Sequence, residues 1–186
     1  MIPRNHPSGT PSAADAALRE LSRTDRYATM KTGSEAHVRR AIAADASALA
    51  ALRFAFRSSF ADPVESRADF VARCEAWMRM RLEADTHWRA WVVDIDDAPV
   101  GNVWLQMIEK LPNPVLEREL HAYVSNLFVL PEHRGRGAGG LLLSKLLAEC
   151  QSLGVDTIFL WPTPESRTLY QRHGFAVTDS VMCRVL

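Results

Sequence analysis

The sequence predicts one domain of the α/β or α+β class, built on a mixed sheet. Two observations point there. A pair of β-rich runs joined by a short polar turn reads as an antiparallel hairpin, and a strand–helix–strand–helix unit follows it. The chain has 186 residues, with no internal repeat and no domain linker. At that length a single core buries most of the apolar surface.

Taken in order, His37 to Ala43 reads as a short strand. Asp45 is placed to cap a helix whose Leu49, Leu52, Phe56 and Phe60 fall on one face. Asp62-Pro63 resembles an N-cap with Pro at the first helical position, and Phe70, Cys74, Trp77, Met78 and Leu82 form the apolar face of that second helix. WRAWVVDID and PVGNVWLQMIE are the hairpin strands, turning around Asp96-Asp97, and LPNPVLERE then breaks the pattern as a loop. LHAYVSNLFVL is a further strand and VLPEHRGRG a loop. AGGLLLSKLLAECQSLG is a helix with Leu142, Leu146, Cys150 and Leu153 on one side, and Gly154 suits the left-handed position past its end. DTIFLW is a short buried strand, Thr163-Pro164 opens a last helix closed by Gly174, and FAVTDSVMCRVL reads as terminal β-structure.

Residues 1–33 differ from the rest. They are rich in Pro, Ser, Ala, Thr and Arg and hold one weak helical stretch, so a flexible tail is expected ahead of a domain at 34–186. The segment has no apolar core of a secretory signal, and Asp15, Glu20 and Asp25 argue against an organellar transit peptide. Met30, just before the folded pattern, is an alternative start.

Composition narrows the function. Twenty-two basic residues balance 22 acidic ones, which argues against a nucleic-acid binder or a partner of anionic membranes. No apolar run approaches the ~18 residues of a membrane span. Cys74, Cys150 and Cys183 are far apart and odd in number, which makes neither a disulfide framework nor a zinc pair. A soluble protein of a reducing, cytoplasmic compartment is the expectation, with no metal, since no His pair has ligand spacing.

The most informative segment is VLPEHRGRGAGGLLLSKLL, Val129 to Leu147. Gly135, Gly137, Gly139 and Gly140 sit between a strand and a helix, where unpaired backbone N–H groups and the positive end of the helix dipole suit a phosphate. Arg134 and Arg136 add charge. Gly135, Gly137 and Gly140 also fit the dinucleotide fingerprint G-x-G-x-x-G. Against that reading, Pro131-Glu132-His133-Arg134 intervenes between strand and glycine, and the next strand ends Leu160-Trp161-Pro162 with no acidic residue. The other reading is Arg134-x-x-Gly137-x-Gly139 preceded by V-x-P.

On those residues the chain resembles the GNAT superfamily of acetyl-CoA-dependent N-acetyltransferases. Their pyrophosphate loop has the form (Arg/Gln)-x-x-Gly-x-(Gly/Ala), entered through V-x-P and followed by a leucine-rich helix. SRTLYQRHGF, Ser166 to Phe175, is similar to a second family segment, LY-x-x-x-GF. The resemblance covers His37 to Leu186. It implies a mixed, mostly antiparallel sheet flanked by helices on both faces, with a splayed gap between two central strands. It also implies acetyl-CoA as co-substrate, held by Arg134, Gly135, Arg136, Gly137, Ala138 and Gly139, and by the strand Leu127, Phe128 and Val129, whose backbone pairs with pantetheine, with a backbone N–H near a bulge at Asn126-Leu127-Phe128-Val129 polarising the thioester. Thr163 stands where relatives often carry an Asn and reads as a helix cap, so Ser166 either makes that cofactor contact instead or completes the first turn.

Acetyl transfer to an amine makes three demands: a deprotonated nucleophile, a polarised carbonyl and a stabilised leaving thiolate. The resemblance assigns the leaving group to Tyr170, which fits packing at the helix–sheet seam equally well. Many relatives carry a Glu base on the strand before the loop, and this chain does not. Tyr123, His121 and Ser125, with Glu119 and Glu109, are the candidates there, and His121 has the suitable titration range. A water chain is an equal alternative.

The implied acceptor is a small-molecule or peptide amine, entering between the first two helices and the strand pair. Phe56, Phe60, Trp77, Trp104 and Trp161 are candidate aromatic walls, and Asp62, Glu65 and Asp69 a candidate attractor for a cationic amine. A homodimer is left open. A second reading on the same scaffold is a non-catalytic acyl-CoA-binding sensor, which keeps the phosphate loop but needs no base.

Overall fold

Runs rich in β-branched and aromatic residues form the sheet, and helices with apolar faces cover it. The structure, a computed structural model, describes residues 35–83 and 87–184. The expected tail and Met30 lie outside the described residues. In chain order the elements are β1 (His37–Arg40), α1 (Ala46–Ser58), α2 (Arg67–Glu83), β2 (Trp88–Ile95), β3 (Ala98–Glu109), β4 (Leu120–Val129), α3 (Ala138–Ser152), β5 (Thr157–Phe159) and α4 (Arg167–Arg172). Five strands lie in the order β1-β2-β3-β4-β5. All neighbours are antiparallel except β4 and β5, which run parallel. This is the mostly antiparallel mixed sheet that the resemblance implied, and its antiparallel strands exclude the dinucleotide fold.

The hairpin turns where expected. Asp96 and Asp97 both have positive φ, 52° and 59°, and Ile95 pairs with Ala98. Such a two-residue turn matches the twist of its strands, and Asp tolerates the left-handed region better than most side chains. Because Cβ atoms alternate along a strand, β2 and β3 feed two cores. Trp91, Val93, Val103 and Leu105 face α3, where Leu142, Leu146 and Cys150 are buried. Ala90, Val92 and Trp104 face α1 and α2, against Leu49, Ala50 and Met78. With both faces covered, the strands read as continuous apolar runs rather than alternating ones.

Several expectations need correction. β1 ends at Arg40, although Ala41 N–H still bonds to Ala90 O at 2.9 Å. Asp45 does not cap α1: its carboxylate accepts the Ile42 N–H (2.8 Å) and a two-pronged pair from Arg39 (2.8 Å each). Those bonds, the Arg39 pairing foremost, hold the Asp45 carboxyl below the usual carboxylate range. α2 starts at Arg67, not after Asp62-Pro63. Ser66 caps it, its Oγ accepting the Asp69 N–H (3.1 Å) while donating to the Asp69 carboxylate (2.7 Å). Leu153 lies past the end of α3 and is exposed, whereas Leu143 is fully buried.

Residues 175–184 form no strand. Val177 and Met182 there are 83% and 97% exposed. A strand-like composition needs a sheet edge and a buried face to become a strand, and these side chains have neither.

The feature that positions the site is a divergence. β4 and β5 pair only from His121–Thr157 to Tyr123–Phe159. β4 then runs on to Val129 with no strand among the described residues beside it on that side, so the sheet splays open there. On its other side β3 approaches closely. A Cβ built on Gly101 would lie 2.7 Å from the backbone oxygen of Phe128. Gly101→Ala is expected to cost about 1–3 kcal/mol as an overpacked site, lowering the melting temperature by roughly 2–12 °C for a chain of this size. Thermal denaturation followed by circular dichroism checks it, and an unchanged midpoint refutes the close approach.

Candidate active site

The open stretch of β4 carries a bulge. Asn102 of β3 pairs with Phe128 and Trp104 pairs with Ser125, so Asn126 and Leu127 together oppose Val103. Asn126 takes the left-handed φ of 53° that the extra residue requires. Its side chain is held on both sides. Its Nδ2 donates to Asn102 Oδ1 (2.6 Å), and its Oδ1 accepts from Arg53 Nη1 of α1 (2.9 Å). Asn102 is fully buried, so this bond satisfies a group that water cannot reach.

Beyond the bulge, Phe128 and Val129 are buried and stand outside the cavity described below, while Leu127 lines it. Pro131–His133 makes one tight turn, then Gly135 and Gly137 adopt φ of 75° and 85°. Gly137 precedes α3, and Leu141 N–H, bonded to Gly137 O (3.0 Å), is the first to reach back. The amides of Ala138, Gly139 and Gly140 therefore have no partner within the helix. A Cβ on Gly139 would only touch Leu169 at 3.4 Å, so packing alone does not demand glycine there. The two arginines behave differently. Arg136 is exposed in the loop. Arg134 folds back, its Nε donating to Val129 O (2.8 Å) and its guanidinium lying 5.4 Å over the Phe128 ring.

A cavity of about 890 Å³ opens from the splayed strands toward α1 and α2. That volume suits a bound small molecule. Tyr170 on α4 reaches it, stacked edge-on against Phe175 at 5.6 Å and only 8% exposed. Burial, with a smaller contribution from Tyr123, pushes its phenol up to about 12. It is therefore protonated at any physiological pH. Ser166 also lines the cavity, its Oγ donating to Thr163 O (2.9 Å).

His121 and Tyr170 are not brought together around the cavity. His121 is not among its lining residues, and its Nδ1 stands 3.9 Å from Asp156 Oδ2 near the base of β5. Glu119 accepts the Asn113 N–H (2.7 Å) in the loop, and Glu109 sits 3.9 Å from His87. Tyr123 and Ser125 do line the cavity. The acidic trio does not: Asp62 and Glu65 border a separate hollow of about 210 Å³, and Asp69 belongs to the α2 cap. The expected attraction of a cationic acceptor by these carboxylates thus has no place in this cavity. What lines it instead, and was missed from sequence, is a set of arginines, Arg53, Arg57 and Arg73. The i, i+4 spacing of Arg53 and Arg57 on an otherwise apolar helix face was the available signal. Of the expected aromatic walls, Phe56, Phe60, Trp77, Trp104 and Trp161 are all present, joined by Phe70 and Trp88.

Among the described residues, no group of three or more His, Cys, Asp or Glu is placed to hold a metal ion, and no helix is long and apolar enough to cross a membrane.

Comparison with known proteins agrees with this geometry. The sequence matches the profile of the Acetyltransferase (GNAT) family over residues 49–175. No curated protein matches in sequence. Among solved structures, a GCN5-related N-acetyltransferase from Ralstonia eutropha JMP134 is 26% identical, with a TM-score of 0.67 over 81% of this chain and 99% of that one. A predicted acetyltransferase with acetyl-CoA from Clostridium acetobutylicum is 18% identical, with a TM-score of 0.68 over 81% and 96%. An aminoglycoside N-acetyltransferase in complex with CoA is 19% identical, with a TM-score of 0.61 over 84% and 98%. With its profile match spanning more than half the sequence and its splayed, bulged fourth strand leading into a glycine loop, the chain belongs to the GNAT acetyltransferase family, whose co-substrate is acetyl-CoA.

Proposed function

We propose that this protein moves the acetyl group of acetyl-CoA onto an amine by direct attack, with both substrates bound together. The observation that carries the reading is one cavity in which the open length of β4, Tyr170 and an aromatic chamber meet. The residues present suit acetyl-CoA. Beyond Tyr123, the β4 edge that no described strand pairs fits the amides of a pantetheine arm. Left-handed Gly135 and Gly137, with the free amides at the start of α3, fit a diphosphate. When bound, the co-substrate supplies an activated thioester carbonyl.

The chain contributes the rest. The braced bulge presents backbone N–H groups to an oxygen gaining charge. As the amine nitrogen bonds to the acetyl carbon and the carbon–sulfur bond breaks, Tyr170 donates a hydrogen bond to the departing sulfur. Full proton transfer from a phenol near 12 to an ordinary thiol near 8.5 runs uphill by roughly 5 kcal/mol, so donation without transfer is the assigned role. The proton lost by nitrogen leaves to water. Arg53 and Arg57 assist, because neighbouring cations favour the neutral amine over the ammonium. Free thiols at Cys74, Cys150 and Cys183 fit work in a reducing, cytoplasmic compartment.

One observation favours the alternative of a non-catalytic acyl-CoA-binding module. No Asp, Glu or His is among the described residues that line the cavity. Calorimetry with acetyl-CoA and a thiol-release assay over a panel of amines separate the two. Binding with transfer supports the enzyme, and binding without transfer to any amine supports the module. The absence of heat at millimolar acetyl-CoA overturns both. For the enzyme, kcat/KM is expected to rise with pH across 6–9 as the amine loses its proton. No falling limb should appear below pH 10, because Tyr170 stays protonated there. A bell centred near pH 7 would instead point to an imidazole base.

A further inference from the structure

Building on the transfer reading, we propose that the acceptor is an α-amino acid with an aromatic or large apolar side chain, its carboxylate held by Arg53 and Arg57. The charge around the cavity is one-sided. Arg53, Arg57 and Arg73 line it, and no carboxylate does among the described residues. Arg73 is answered by Glu65 (2.5 Å). Arg53 and Arg57 have no carboxylate partner among the described residues. Arg53 binds only the neutral amide of Asn126, and each guanidinium lies over a phenyl ring, Arg53 at 5.9 Å from Phe56 on α1 and Arg57 at 5.8 Å from Phe60 just past its end.

Like charges one helical turn apart repel, and half-burying one of them adds a desolvation cost. Such an arrangement is stabilised by an anion from outside. A guanidinium fork matches a carboxylate with two parallel hydrogen bonds.

Position fixes which amine reacts. Arg53 already touches the bulge through Asn126. A carboxylate on its remaining donors sits beside the bulge, and in an α-amino acid only the α-carbon separates carboxylate from amine. The nucleophile is thus delivered next to the amides that polarise the carbonyl.

Much of the remaining wall, on the side of α2 and β2–β3, is aromatic. Trp77, Trp88 and Trp104 form a cluster with ring centres 5.2 to 6.2 Å apart, and Phe70 adds to the wall. Trp104 is 2% exposed and its Nε1–H has no partner among the described residues, although a buried indole N–H ordinarily finds one. An aromatic box alone would also hold a cationic ammonium, but two unanswered guanidiniums at the same chamber oppose a second positive charge.

The test compares phenylalanine with phenylalaninamide, phenethylamine and a diamine as acceptors, by thiol release from acetyl-CoA. Phenylalanine is expected to have the highest kcat/KM, about 10- to 100-fold above its amide, the range of a hydrogen bond to a charged group. In Arg53→Gln and Arg57→Gln that ratio is expected to fall toward one. Using the ratio cancels any loss that Arg53→Gln causes through the bulge, since both substrates share it. Tryptophan fluorescence adds a readout without turnover: phenylalanine quenches the wild type and phenethylamine does so only weakly. Transfer to neutral or cationic amines at equal or better efficiency overturns this inference and leaves the transfer reading standing. Transfer to no amine, with acetyl-CoA bound, overturns both.

Discussion

Asn126→Leu is expected to lower stability by about 2–5 kcal/mol and kcat/KM by about 10²- to 10³-fold. The stability loss has two sources. The Asn102 side chain, fully buried, loses the Asn126 Nδ2 donor at 2.6 Å, and an orphaned buried polar group costs about 1–3 kcal/mol. A branched apolar residue must also hold a φ of 53°, which costs about 1–2 kcal/mol for residues other than Gly, Asn and Asp. The activity loss follows from moving the bulge amides, since removing a single oxyanion donor has a comparable effect elsewhere. Asn126→Gly separates the two causes. It keeps the left-handed backbone and deletes only the side-chain bonds, so it should retain more activity than the leucine variant. Urea melts with steady-state kinetics on both variants check this. Equal activity in the leucine variant and wild type would show that the bulge does not hold the reacting carbonyl.

Tyr170→Phe is expected to lower kcat about 10- to 100-fold, leaving acetyl-CoA affinity and the melting temperature nearly unchanged. The phenol makes no hydrogen bond within the described protein, and its ring packs on Phe175 at 5.6 Å, a contact that phenylalanine keeps. Stability should therefore not fall. The rate should, because a hydrogen bond to a developing thiolate is worth about 1.5–3 kcal/mol in a water-poor site. The cause that raises this phenol, burial within the cavity wall, also keeps it a donor across the working pH range. Single-turnover thiol release with calorimetry for acetyl-CoA measures both quantities. A kcat within twofold of wild type would reduce Tyr170 to a packing residue of the helix–sheet seam.

Local signals carried the glycine loop. Left-handed φ at Gly135 and Gly137 and the start of α3 follow from residues adjacent in the chain, and so does the Asp96-Asp97 turn. The bulge was half legible. Its strand segment, Asn126 to Val129, was placed, but what holds it was not. Asn102 and Arg53 lie 24 and 73 residues from Asn126 in sequence, and no local pattern links them. The α2 start went to Asp62-Pro63 because that pair carries a cap signature, yet the reciprocal Ser66–Asp69 bonds decide the boundary.

His121 shows the same limit on the site. Its titration range recommended it, and alternation even places it on the face of β4 that carries Tyr123. Distance along the strand matters more: two residues before Tyr123 it stands beside Asp156, off the cavity wall. The acidic trio failed for a comparable reason, since Asp62 and Glu65 turn to a different hollow.

The sequence alone determined the order of strands and helices, the hairpin turn and the left-handed glycine loop ahead of α3, because each depends on backbone preferences and periodicity within a few residues. Only the tertiary structure decided that residues 175–184 add no strand, that the bulge is braced across three elements, and that arginines rather than carboxylates join the aromatic walls of the chamber. Those outcomes depend on which distant surfaces meet, and burial, charge and hydrogen-bond partners act through space rather than along the chain.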